Sequence, residues 1–379
     1  MSYDKKKIGI ITFHNAHNYG AMLQVFALQK VIMEKYDTKI IDYRNEGIEK
    51  KYKITRINKK NIFTRIKSII ATIVFYRKNK KRYQKFDRFL KENLNLTQRY
   101  NSEEELKRNP PKLDVYITGS DQVWNYEISA KKIDAYTLNF GKEEIKKISY
   151  AASIGKNTFD EEYKKYYKNN IEKLDAISVR EEEAKKYLAS MIKKDIQIVL
   201  DPTFLIEKDK WEELFDLENK EKEKYIFAYI LTEDPEYYKT INYLSKKTGL
   251  KVIHVSKKNR GIKNILRNAY SDGPIEFLRL IKNAEYIVAT SFHATVFSII
   301  FNKKIWVIPP KDTSSRITDL LDKLNISGRA FNKFEEFIYK DYDEEIDYKE
   351  VNKKLKEERK KSLNWLENAI GSKIWKKTY

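Results

Sequence analysis

The chain contains no cysteine. That excludes disulfides, zinc–thiolate centres, iron–sulfur clusters and thiol nucleophiles together. Glycine is scarce, 11 in 379 residues, and the glycine-rich phosphate motifs are missing with it. No P-loop lysine motif, kinase motif set or G-x-S-x-G nucleophile elbow occurs. No zinc-finger, RRM or KH pattern occurs either. Long apolar runs are absent too: none reaches the roughly 18 residues of a membrane-spanning helix. The closest is "IIATIVFY" at 69–76, flanked by "TRIK" and "RKNKKR". Basic flanks of this kind suit an anionic membrane surface. A buried helix with solvated ends is the favoured expectation. At the N-terminus the apolar run of "MSYDKKKIGIITF" is short and no small-residue cleavage site follows, so it reads as a first core strand rather than a signal peptide.

What is present is a large, lysine-rich globular chain. Its 379 residues, 41% hydrophobic and 13% aromatic, suffice for two cores. Lys and Arg number 76 against 55 Asp and Glu, a formal charge of +21. The lysines read as scattered KK and KE pairs on helix faces rather than one block, so no nucleic-acid partner is expected.

The pattern along the chain alternates strand and helix. Ile8–Phe13 reads as a strand, Ala21–Lys35 as an amphipathic helix and Thr38–Tyr43 as a second strand. A basic helical stretch follows from about 57 to 94. Strands then end at Thr118, Tyr150, Arg180 and Asp201. After a charged linker, "EKDKWEELFDLENKEKEK", the alternation restarts through "YIFAYIL", "LKVIHVS", "EYIVAT" and "KIWVIPP". The expected fold is α/β, with two Rossmann-like doubly wound domains facing a central cleft. The expected boundaries are 1–206, 222–340 and a C-terminal helix in 346–379 that can pack back on the first domain.

Each strand end carries polar residues, where parallel sheets bind ligands. "HNAHNYGA" has the position of a dinucleotide turn but offers only Gly20, together with Asn15 and Asn18, at a helix start. His14 and His17 fail as metal ligands for want of a nearby third ligand in sequence. In "TGSDQVWN", Asp121 is a candidate acid, base or sugar ligand, against the alternative of a turn cap. Arg180 in "SVRE" can hold a carboxylate or phosphate, or pair with the neighbouring glutamates. "TSFHATVFSIIF" is the sharpest site: His293, after Thr290 and Ser291 at a strand-to-helix turn, can bind phosphate or move a proton near neutral pH.

Taken together, "FHNAHNYGAMLQVFALQ", "YITGSDQVWN", "SYAASIG", "SVREEEA", "VLDPTFLI", "VATSFHATVFSIIFNKKIWVIP" and "SSRITDLLDKL" resemble, in order over about 1–330, the polysaccharide pyruvyl transferase family. The resemblance implies a GT-B-like fold, phosphoenolpyruvate as donor and a ketal formed on two hydroxyls of a cell-surface glycan. It implies no metal or organic cofactor. His293 and Asp121 would be catalytic. Arg180, Ser291, His293 and Arg316 would bind the donor, and Asn15, Asn18, Tyr19, Gly20 and Asp121 the acceptor. Where several family members carry arginine beside the histidine or two residues before it, this chain has Phe292 and Ser291; Arg316 or a lysine would then supply the charge. A sugar or lipid-linked oligosaccharide acceptor and a cytoplasmic place, peripheral at the inner membrane face, complete the expectation. The alternatives are a GT-B-like glycosyltransferase using a nucleotide sugar and a non-enzymatic basic binding module.

Overall fold

A computed structural model describes residues 5–52, 54, 62–129, 133–155, 158–231, 235–256, 261–310 and 315–371. The start of the basic helical stretch near 57 and residues 372–379 of the expected C-terminal segment lie outside these. The chain forms two compact units. The first comprises Met1–Tyr52, Leu90–Ile206 and Lys353–Tyr379; the second comprises Lys53–Phe89 and Glu207–Asn352. Residues 53–89 therefore belong with the second unit although they fall inside the first stretch of sequence.

The first unit is built on seven parallel strands: β1 Lys7–Ile11, β2 Asp37–Tyr43, β3 Leu96–Tyr100, β4 Val115–Thr118, β5 Lys146–Ala152, β6 Ala176–Val179 and β7 Ile196–Ile198. Their order is β3-β2-β1-β4-β5-β6-β7. Chain order reverses between β1 and β4, which makes the carboxyl ends of that pair the topological switch point. β1 reads KIGII and β4 VYIT, and apart from Lys7 every one of these residues is buried. Near-continuous apolar runs are what a parallel sheet covered on both faces requires. The helix Tyr19–Met33 covers one face, with 13 of its 15 residues buried.

The second unit has five parallel strands: β8 Tyr225–Tyr229, β9 Lys251–Val255, β10 Ile265–Asn268, β11 Tyr286–Ala289 and β12 Lys304–Val307. The order β10-β9-β8-β11-β12 places its switch point between β8 and β11. β8, YIFAY, is buried throughout. The core includes Trp211 edge-on to Phe297 at 5.2 Å and Trp306 edge-on to Phe337 at 5.1 Å, contacts worth about 0.5–1.5 kcal/mol each beyond area burial.

Two strands, β3 and β10, were not expected from the sequence. Both are sheet edges. β3 exposes Gln98 and Arg99, and β10 is only half-buried along its length. An edge strand with one partner buries too little to leave a clear apolar pattern.

The terminal helix Tyr348–Ile370 supplies its later residues to the first unit. There Leu200 N–H donates to Ser362 Oγ at 2.9 Å, Arg359 Nε donates to the Phe204 carbonyl at 2.7 Å, and Lys35 pairs with Glu367 at 2.7 Å. No helix among the described residues is long and apolar enough to cross a membrane.

Candidate functional site

At the first unit's switch point the loop after β1 meets the loop after β4. Thr12 Oγ1 donates to the Ser120 carbonyl at 2.8 Å, and Gln24 Nε2 donates to Thr12 Oγ1 at 3.2 Å. These bonds tie "HNAHNYGA" to "TGSD". Only glycine fits at 119: its φ is +111° and a Cβ would stand 2.2 Å from the Tyr150 carbonyl oxygen.

The polar residues of the first loop serve different ends. Asn18 caps the helix Tyr19–Met33, its Oδ1 accepting from Ala21 N–H at 3.2 Å. Tyr19 and Gly20 are buried in the first turn. Asn15 is 6% exposed, and its amide nitrogen lies 3.4 Å from Glu49 Oε1. Asn15 Oδ1 is buried with no hydrogen-bond partner among the described residues. An orphaned acceptor costs about 1–3 kcal/mol unless something donates to it. A sugar hydroxyl is one such donor.

His14 has its polar partner in space rather than in sequence. It is wholly buried, with Nδ1 3.3 Å from the Thr12 carbonyl and Nε2 2.9 Å from Asp42 Oδ1. Burial pushes the Asp42 carboxyl up, but hydrogen bonds from His14 and Arg44, with their charges, hold it below its ordinary value of 3.8. A depressed carboxyl stabilises the fold above the unfolded pKa and loses that contribution as pH falls through the folded one. The thermal midpoint should therefore drop between about pH 5 and 3, and Asp42→Asn should flatten that part of the profile. An unaltered profile in the variant would assign the acid sensitivity elsewhere.

The carboxyl ends of β4, β5 and β6 and the segment after β7 converge on a charged cluster. Asp121 is half-buried at φ +75°, an uncommon conformation for a residue with a Cβ. Its carbonyl accepts from Val123 N–H at 2.8 Å and Ser153 N–H at 3.0 Å. The Arg180 side chain is 3% exposed; its Nη1 lies 2.9 Å from Asp201 Oδ2 and its Nε 3.6 Å from Glu181 Oε1. Burial pulls the guanidinium pKa down, and the charges of Glu181, Asp201 and Asp121 more than reverse it. Ser153 Oγ donates to Glu181 at 2.5 Å, while Asp201 accepts from Thr203 N–H and Oγ1 at 3.0 and 2.6 Å. Ser120 Oγ lies 3.1 Å from the Ala151 carbonyl and 3.4 Å from Asp201 Oδ2.

One cation among three carboxylates leaves this cluster negative. Carboxylate oxygens placed this way can accept hydrogen bonds from hydroxyl donors. Within its own unit Arg180 thus meets Asp201 through Nη1. Asp201 and Glu181 were visible in sequence only as a strand-end polar residue and one of three successive glutamates. The 21-residue separation of Arg180 and Asp201 carries no pattern by which a sequence could pair them.

In the second unit the switch point has the opposite character. β11 runs into the helix Phe292–Ile300, whose N-cap Ser291 faces Ala294 N–H through its Oγ at 3.5 Å. Thr290 Oγ1 accepts from Leu231 N–H at 3.0 Å, which ties this turn to the end of β8. His293, second in the helix, is 9% exposed and edge-on to Phe292 at 5.2 Å. The first turn holds no acidic residue, so the positive end of the helix is not neutralised locally. Arg316 is the second residue of the helix Ser315–Lys323 and half-buried. Unit by unit, Asn15, Asn18, Tyr19, Gly20, Asp121 and Arg180 belong to the first; Ser291, His293 and Arg316 belong to the second.

Among solved structures the chain is similar to UDP-N-acetylglucosamine 2-epimerase from Rickettsia bellii, at 12% identity over 97% of both chains with a TM-score of 0.53. It is similar also to S. aureus MnaA solved with UDP, at 12% identity over 96% of both chains and a TM-score of 0.51. Identities this low speak for the fold alone: two doubly wound α/β units of the GT-B type. No curated protein matches the chain. The sequence profile described as "Polysaccharide pyruvyl transferase" matches residues 18–312, more than half of the chain. The match spans the loop at Asn18, the cluster around Asp121 and Arg180, and the turn at His293: the chain belongs to the polysaccharide pyruvyl transferase family.

Proposed function

We propose that this transferase moves the pyruvyl group of phosphoenolpyruvate onto two hydroxyls of a sugar, forming a ketal in cell-surface polysaccharide synthesis. The observation that carries the donor half is the acid-free helix start at Ser291–His293 on the second unit's switch point. In the reaction two sugar oxygens bond to C2 of the donor, the enol methylene becomes a methyl group and the C2–phosphate bond breaks. Of the two hydroxyl protons, one balances the methyl group and the other leaves with phosphate.

His293 would bind the departing phosphate and move a proton, with Ser291 and Arg316 completing the donor's polar surroundings. Asp121, in the carboxylate cluster of the first unit, would take the acceptor hydroxyl's proton. Asn15 would donate and accept at the sugar through its amide, while Asn18, Tyr19 and Gly20 hold the loop in shape. Arg180 acts here by positioning Glu181 and Asp201. A lipid-linked oligosaccharide acceptor and a place at the inner face of the membrane belong to the same reading.

The test is to incubate the protein with phosphoenolpyruvate and a panel of nitrophenyl and lipid-linked sugars. The expected result is phosphate release together with an acceptor heavier by pyruvate less one water. Thermal stabilisation by a nucleoside diphosphate, with none by phosphoenolpyruvate, would instead favour a nucleotide-sugar glycosyltransferase.

A further inference from the structure

The helix Ile62–Asn93, which lies in the second unit as far as Phe89, is anchored there along one face and bare along the other. Phe86 and Phe89 are 0% and 2% exposed, Arg82 donates to the Tyr270 carbonyl at 3.0 Å, and Tyr270 donates its hydroxyl to Asn79 at 3.0 Å. Lys85 pairs with Asp272 at 3.2 Å and Glu276 at 2.5 Å. One to two turns earlier, Ile70, Ile73 and Val74 are 56%, 71% and 66% exposed, with Ile69 and Tyr76 also open to solvent. At about 100° per residue these five fall within an arc of about 160°, opposite the anchored face. The favoured sequence expectation, a buried helix, does not hold for them. The side chains of the "TRIK" flank lie outside the described residues.

Between Glu49 and Asp87 the sequence carries fourteen Lys and Arg and no Asp or Glu, a block rather than the even scatter expected. Exposed Arg77, Lys80 and Lys81 continue the apolar arc toward the helix C-terminus. Aliphatic side chains beside cations on one helix face match an interfacial helix: the apolar groups enter the acyl boundary while Lys and Arg stay with anionic headgroups. A patch of this kind on a water-exposed helix marks an interaction surface.

We propose that this face docks the protein on an anionic lipid surface. The inference deepens the functional reading by naming the surface that would bring the enzyme to a lipid-linked acceptor; it rests on that reading only for the acceptor's identity. Docking places Ile70, Ile73 and Val74 in the headgroup–acyl boundary. Arg77, Lys80 and Lys81 then lie against lipid phosphates.

The experiment is co-sedimentation of the full chain with vesicles of phosphatidylcholine alone and of phosphatidylcholine mixed with phosphatidylglycerol. Binding to the mixed vesicles, weakened by salt, is expected. Ile73→Asp with Val74→Asp should weaken it at least about tenfold, and Lys80→Gln and Lys81→Gln about fivefold each. The thermal midpoints should stay at the wild-type value, since these side chains are exposed. Equal binding to both vesicle types, no binding, or unchanged binding by the variants would overturn the proposal. So would self-association in light scattering that Ile73→Asp abolishes while vesicles do not compete with it, which would make the occupant a second copy. Phosphate release with a soluble acceptor should be unaffected by all four substitutions, so failure of the transferase reading registers in that assay and failure of docking in sedimentation.

Discussion

Replacing His293 by alanine should lower phosphoenolpyruvate-dependent ketal formation by about 10²–10⁴-fold, the range that a positioned proton-transfer group contributes. His293 follows the Ser291 cap by two residues, in a helix turn without a carboxylate. Its imidazole therefore stands at the positive helix end, where on the proposed reading phosphate charge would develop as the C2–oxygen bond breaks. His293→Gln separates binding from proton transfer. Glutamine keeps an N–H for the phosphate, so it should retain donor binding by calorimetry while remaining slow in turnover. Ser291→Ala loses a cap of about 0.5–2 kcal/mol and should also weaken donor binding, since its hydroxyl is part of the proposed donor surroundings. Wild-type turnover in His293→Ala would remove this residue from the mechanism and leave the acid-free helix start without a catalytic role.

The second large effect is on folding. Arg180→Met should destabilise the first unit by about 3–5 kcal/mol, because it removes the guanidinium charge that faces Asp201 and Glu181 in a buried place. For a domain of this size the thermal midpoint should fall by about 10 °C. The double variant Arg180→Met with Asp201→Asn should recover part of that loss, since the penalty lies mostly in the buried carboxylate. An arginine that instead held the donor would behave otherwise: the midpoint would stay and KM for phosphoenolpyruvate would rise. Calorimetric scans of both variants beside steady-state kinetics decide between the two.

The same residues show how far the sequence could be read. Apolar strands such as "YIFAY" and "YIVA" are buried on both sides and announce themselves by composition alone. The strand-end turns were legible for a related reason: a parallel strand must end in a loop at the carboxyl edge, so polar residues there are visible without coordinates. The edge strands β3 and β10 were not legible, because one-sided pairing leaves Gln98, Arg99 and Asn268 free to be polar. The exposure of Ile70 and Ile73 was hidden for the opposite reason. Aliphatic composition predicts burial, and whether a helix face is covered depends on what packs against it.

The sequence by itself determined the α/β class, the strands of both sheet centres and the turns that hold Asp121, Arg180 and His293, since these follow from local periodicity and loop chemistry. Only the tertiary structure decided what each polar residue meets. His14 found Asp42 across 28 positions, Arg180 found Asp201 across 21, and Lys53–Phe89 joined the second unit. Such pairings are set by which strands lie side by side, a long-range choice of packing that no local pattern records.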